Sequence, residues 1–225
     1  MTFAVLAAAL FMRLGVWQLH RLAERRARNA LVVSRLDSAQ VPLSALPRDT
    51  TESRFRRVQV AGVPDYAHEL ILAARTHNGA PGVDLITPIR VAGNDTAVLL
   101  NRGWVYSPDA ASIDEARWRE NDSVFVGYAE TLPTDGGVPY RSRPHTLTRL
   151  TLTTARGALP YPVFGFYVVE MGDTTTAPGR PQRVGVPPLD EGPHKNYAIQ
   201  WFFFALVALT GAAIVISNVS RGRST

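Results

Sequence analysis

Five histidines and no cysteine limit the metal chemistry open to this chain of 225 residues. One histidine stands where a ligand would be well prepared: Glu191-Gly192-Pro193-His194-Lys195-Asn196-Tyr197-Ala198-Ile199-Gln200-Trp201. Pro193 suits the first position of a helix, where its missing N–H costs nothing, and Asp190 or Gly192 can cap that helix. His194 then falls in the first turn, where the positive end of the helix dipole disfavours the imidazolium. Neutral imidazole is the form that ligates metals. His194, Tyr197, Ala198 and Trp201 follow i, i+3, i+4, i+7 spacing and share one helix face. An aromatic wall beneath a ligand suits a flat apolar cofactor. The plain alternative is a polar residue at a membrane interface.

Two further positions have candidate roles. His20 lies just beyond Trp17, at the end of a first apolar run, so it can reach a depth similar to that of His194. Two such imidazoles can bracket a haem iron; otherwise His20 is an interface residue. Arg102, in Asn101-Arg102-Gly103-Trp104, can clamp a carboxylate such as a haem propionate. Its alternative is a strand-end arginine in a structural hydrogen-bond network, with Trp104 in the core. No catalytic residue is assigned. The carboxylates are unpaired, and Gly-x-Ser-x-Gly, His-Glu-x-x-His and phosphate-loop patterns do not occur. Without cysteine, disulfide scaffolds, thiol redox chemistry and thiolate metal sites are excluded.

These residues are placed by two apolar runs and a middle. The run Thr2–Leu19 and the run to about Val219 are each long enough for a hydrocarbon core, which needs roughly 20 apolar residues. The first run has no basic start and no Ala-x-Ala site, so it reads as a retained span and not as a cleaved signal. Arg13 sits near enough to its end to snorkel. The expected organisation is a transmembrane helix over 1–19, a β-rich domain with its linker over 20–196, a second transmembrane helix over 197–219 and a tail over 220–225. Trp17 and Trp201 mark one interface. Arg221 and Arg223 pull the C-terminus toward the cytoplasm, while Arg21, Arg25, Arg26 and Arg28 pull the middle there too, so charge alone leaves orientation tied.

Within the middle, the first helix is expected to continue through Leu22–Leu36. Short β-type runs follow at Phe55–Val63, Leu70–Ala74, Val83–Val91, Thr96–Val105, Ser123–Thr131 and Phe164–Met171, with a turn at Asn78–Gly82. Helical turns are expected at Asp114–Arg119 and Thr153–Leu159, and a linker at Met171–Pro188. The fold class is therefore a membrane protein of α+β type, with two transmembrane helices flanking one mainly antiparallel β domain. The net charge of +5 comes with scattered arginines and no basic stripe, so nucleic acid is not an expected partner.

Four blocks in order give the chain a family resemblance. They are Leu14-Gly15-Val16-Trp17-Gln18-Leu19-His20-Arg21; Phe55-Arg56-Arg57-Val58 with Gly62; Pro81-Gly82 through Thr87-Pro88 to Asn101-Arg102-Gly103-Trp104-Val105; and Glu191-Gly192-Pro193-His194 with Tyr197-Ala198-Ile199-Gln200-Trp201-Phe202. With these the chain resembles the Surfeit-locus family of cytochrome c oxidase assembly proteins. The variable 132–147 stretch and the Pro-rich linker depart from the family pattern. The resemblance implies a multi-pass protein of the bacterial plasma membrane, with its main domain extracytoplasmic and both termini cytoplasmic. It also implies a non-enzymatic role in maturing aa3-type haem–copper oxidases around haem a. The family's Gly-Pro-His histidine corresponds to His194, which becomes the candidate metal ligand. Expected partners are the oxidase catalytic subunit, the haem a synthesis machinery and the lipid bilayer. The alternative function is a scaffold that stabilises an oxidase assembly intermediate without touching haem.

Overall fold

The computed structural model describes residues 2–135, 143, 145–172 and 178–222. Half of the 132–147 stretch, part of the Met171–Pro188 linker, and Arg223 with the end of the tail lie outside the described residues. In chain order, helix α1 (Thr2–Leu36) is followed by strand β1 (Val41–Pro42) and the short helix α2 (Thr50–Ser53). Then come β2 (Arg57–Ala61), β3 (Val63–Pro64), β4 (Leu70–His77), β5 (Ala80–Arg90), β6 (Ala97–Tyr106) and β7 (Val124–Thr131). The chain closes with β8 (Thr146–Leu147), α3 (Leu152–Ala158), β9 (Val163–Glu170) and α4 (His194–Gly222). Two compact units result: Met1–Val33 with Pro188–Thr225, and Ser34–Pro187.

The Ser34–Pro187 unit is a mixed sheet. Its strands run in the order β1-β2-β7-β9-β6-β5-β4-β8, with β3 beside β5. The β2–β7, β3–β5, β4–β5, β5–β6 and β7–β9 pairs are antiparallel. The β1–β2, β4–β8 and β6–β9 pairs are parallel, so the expected antiparallel sheet is the larger part of the ladder and not all of it. The parallel element arises because β9 inserts between β7 and β6 and runs along β6. Turn signals report where strands end and carry no record of such an insertion.

Strand β6 shows why some strands read as continuous apolar runs. Ala97 and Leu99 enter one core cluster with Leu70, Leu72 and Ile86, beneath α3. Val98 and Leu100 enter the opposite cluster with Val58, Val60, Ile89 and Phe125. Alternate side chains of a strand point to opposite faces, and here both faces are buried. The β4–β5 hairpin is tighter than expected. Asn78 and Gly79, with φ of 50° and 80°, form the whole two-residue loop, and Pro81 and Gly82 belong to the strand opposite Thr76 and Arg75. Helix α3 is started locally: Thr151 and Thr154 form a reciprocal capping box at its N-terminus.

The other unit is built on α1 and α4, two helices long and apolar enough to cross a membrane, over Thr2–Leu36 and His194–Asn218. Their buried side chains are mostly small: Ala8, Gly15, Gln18 and Leu22 on α1, and Ala198 and Ala205 on α4. A Cβ on Gly15 would stand 2.5 Å from the Phe202 ring, so glycine lets the two helices approach. Phe11 stacks on Trp201 at 5.7 Å, and Phe204 meets both rings. Large apolar side chains such as Phe3, Leu6, Leu10, Ile199, Phe203 and Leu206 stay exposed.

Candidate functional site

The segment before α4 is fixed to α1 by polar contacts. Arg26 donates twice to Glu191, Nε to Oε1 at 2.7 Å and Nη2 to Oε2 at 2.9 Å. Arg25 donates to the carbonyl and carboxylate of Asp190, and Asn29 to the carbonyls of Leu189 and Asp190. The Asp190 carboxylate accepts the Gly192 N–H at 3.1 Å, and the Pro193 carbonyl accepts the first helical N–H, from Tyr197. Pro193 therefore stands just before the helix, whose first residue is His194, and not at the first helical position expected for it.

His194 is half-buried at this start, with Nδ1 2.9 Å from Oε1 of Gln18. A carbonyl oxygen can only accept, so Nδ1 is the donor in this contact. Nε2 makes no hydrogen bond among the described residues. Gly192 lies along that edge: a Cβ there would be 3.6 Å from Nε2 and 3.4 Å from Cδ2. Its φ of 68° also makes any side chain at 192 costly. The imidazole is thus oriented through Nδ1 with Nε2 unengaged, the arrangement metal-ligating histidines use.

The other expected site residues are placed differently. His20 is exposed, and two residues past Gln18 it lies about 200° around α1, so it does not join His194. The α1 residue that meets His194 is Gln18, to which the sequence reading gave no role. An amide inside an apolar span was the available signal, since intramembrane polar groups face the bundle interior. Ala198 is buried and Trp201 half-buried against α1, while Tyr197 is about half exposed. The expected aromatic wall is therefore divided: Trp201 packs on Phe11, and only Tyr197 presents an open ring.

Arg102 corrects the propionate expectation. Its side chain is fully buried in the sheet unit, among groups that use its donors. Nε donates to Thr87 Oγ1 at 2.7 Å, Nη2 to Glu69 Oε1 at 2.6 Å, and Nη1 to Glu120 Oε2 at 3.0 Å and to the Trp118 carbonyl at 2.5 Å. Tyr66 lies 5.0 Å from the guanidinium and exchanges hydrogen bonds with the Glu120 backbone. Thr87 also donates to Glu69. No face is left for an incoming carboxylate, and the structural-network alternative describes this residue.

Arg183 extends the network. It bridges Glu120 at 2.8 Å and Glu170 at 3.0 Å, and donates to the Arg102 carbonyl at 2.6 Å. The buried members carry two cationic and three acidic side chains, so full ionisation leaves one excess negative charge. Burial foremost, with Glu120 adding to it against Arg183, pushes Glu170 up to about 7. The folded state holds this proton more tightly than the unfolded chain does. The resulting stabilisation is complete below the usual glutamate range and is lost as pH rises through about 7. Asp84, pushed up to about 6 by burial, acts in the same sense at lower pH. Thermal unfolding temperature should therefore fall between pH 5 and pH 8, and Glu170→Gln should flatten that fall; an identical slope in the variant would refute this assignment.

The SURF1 family matches the chain over residues 5–206, from α1 through the sheet into α4. A SURF1-like protein of Monosiga brevicollis is 24% identical over 213 residues, covering 87% of this chain and 79% of its own. An uncharacterized SURF1-like protein of Mycobacterium tuberculosis is 26% identical over 219 residues, covering 89% and 76%. Surfeit locus protein 1 of Gallus gallus is 30% identical over 107 residues, 41% of this chain and 35% of that protein. The match takes in both His194 and Gln18 as well as the whole buried arginine network, and on that extent the chain belongs to the SURF1 family.

Proposed function

We propose that this protein is a membrane-anchored assembly factor for aa3-type haem–copper cytochrome oxidase, and that it holds haem a through His194 for delivery to the oxidase catalytic subunit. The observation that carries the haem reading is the His194 imidazole, tied at Nδ1 by Gln18 and open at Nε2 beside Gly192. Haem bound there would be held by His194 through Nε2. Tyr197 offers the adjacent open ring, and the exposed apolar sides of α1 and α4 suit both a porphyrin and lipid tails. The role is binding and handover, with the haem a synthesis machinery as donor. Protein purified from cells that make haem a should show a Soret band, and the same protein from cells without haem a should not. A colourless protein in both cases would favour the scaffold function, which the packing of Trp201 against Phe11 also suits.

Both helices leave large apolar side chains uncovered, as spans in a bilayer do and buried core helices do not. We place the spans at 1–19 and 197–219, the domain over 20–196 outside the plasma membrane, and both termini in the cytoplasm. A reporter active only outside the cytoplasm should be silent when fused after Thr225 and active when inserted near Asp135. The reverse pattern would invert the topology.

A further inference from the structure

We propose that Gln18 is a positioning residue, whose side-chain oxygen selects the Nδ1–H tautomer of His194 and so keeps the Nε2 lone pair available to iron; the haem part of this rests on the function proposed above. A neutral imidazole has one donor and one acceptor nitrogen, and which is which depends on the partner it meets. Gln18 Oε1 lies 2.9 Å from Nδ1, so the proton belongs on Nδ1. The opposite contact, with the amide N–H donating to Nδ1, would put the proton on Nε2 and close the ligand position.

Gln18 is itself held. It belongs to the buried row Ala8, Gly15, Gln18, Leu22 of α1, packed where Gly15 admits Phe202. In such surroundings an amide without a partner is costly, so the Gln18–His194 contact is maintained. A glutamate at this place would bring a full charge into an apolar span and could draw a second proton onto the ring. Glutamine orients the imidazole through Nδ1 and brings no charge beside it. His20 cannot substitute, being exposed on the other side of α1.

The test uses the full chain in lipid nanodiscs, free of haem and labelled with 15N at histidine, with His194 assigned by its absence in His194→Ala. In the wild type Nδ1 should be protonated and Nε2 the strongly deshielded, unprotonated nitrogen. In Gln18→Met the Nε2–H tautomer should become populated. Haem a added to both should bind about 10–100-fold more weakly to Gln18→Met, the usual cost of losing the partner that orients a ligand. A wild-type ring protonated at Nε2, or a tautomer unchanged in Gln18→Met, would overturn the proposal, and the first needs no variant. Absence of haem binding by the wild type would instead remove the His194 ligand role, with the tautomer measurement still deciding what Gln18 does.

Discussion

Arg102→Met is expected to destabilise the sheet unit by about 3–5 kcal/mol, the cost of removing one partner from a buried ion pair. The reason lies in what remains. Glu120 keeps Arg183, but Glu69 keeps only the Thr87 hydroxyl and is otherwise left as an uncompensated buried carboxylate. For a unit of this size the loss corresponds to a fall in unfolding temperature on the order of 10 °C. Arg102→Met combined with Glu69→Met should recover much of it, because removing both partners leaves no orphaned charge. A propionate clamp would behave differently: Arg102→Met would leave unfolding unchanged and weaken haem binding alone. Thermal unfolding of the single and double variants decides between these, and a single variant as stable as wild type would sink the structural role.

The parts of the fold legible in the sequence are those written locally. Pro193 marks the start of α4, Asn78-Gly79 marks the β4–β5 hairpin, and the Arg-rich continuation of the first helix runs to Leu36 as its apolar spacing suggests. The parallel course of β9 beside β6 was not legible, since it depends on which strand fills the gap next to β7. For the candidate site, the capping and motif residues around His194 could be read; the amide in the first span was a signal, but not which α1 side chain meets the ring. His20 and Gln18 are two residues apart on one helix and face nearly opposite ways, and only the helix pairing decides which of them meets α4. Arg102 shows the same limit from the other side. Its partners Glu69, Thr87, Glu120 and Arg183 are scattered over more than half the chain and gathered only by the sheet.

If the protein holds haem a as proposed above, His194→Ala is expected to leave its membrane level normal while abolishing haem binding. The helix pair does not depend on the imidazole: Gly15 against Phe202, Phe11 against Trp201 and the paired bonds of Arg26 to Glu191 all remain. What disappears is the one imidazole on α4 whose Nε2 is open. The loss of haem a per protein should exceed the roughly 10–100-fold typical for losing a ligand's supporting partner, because the ligand itself is gone. His20→Ala should keep wild-type haem content, since His20 stands on the exposed side of α1 away from Gln18. Haem per protein in the wild type and both variants, all expressed with haem a synthesis, is the measurement. Equal haem in wild type and His194→Ala would remove the ligand assignment. Loss in His20→Ala as well would require a second imidazole from another copy of the chain, because α1 does not turn His20 and Gln18 to the same side.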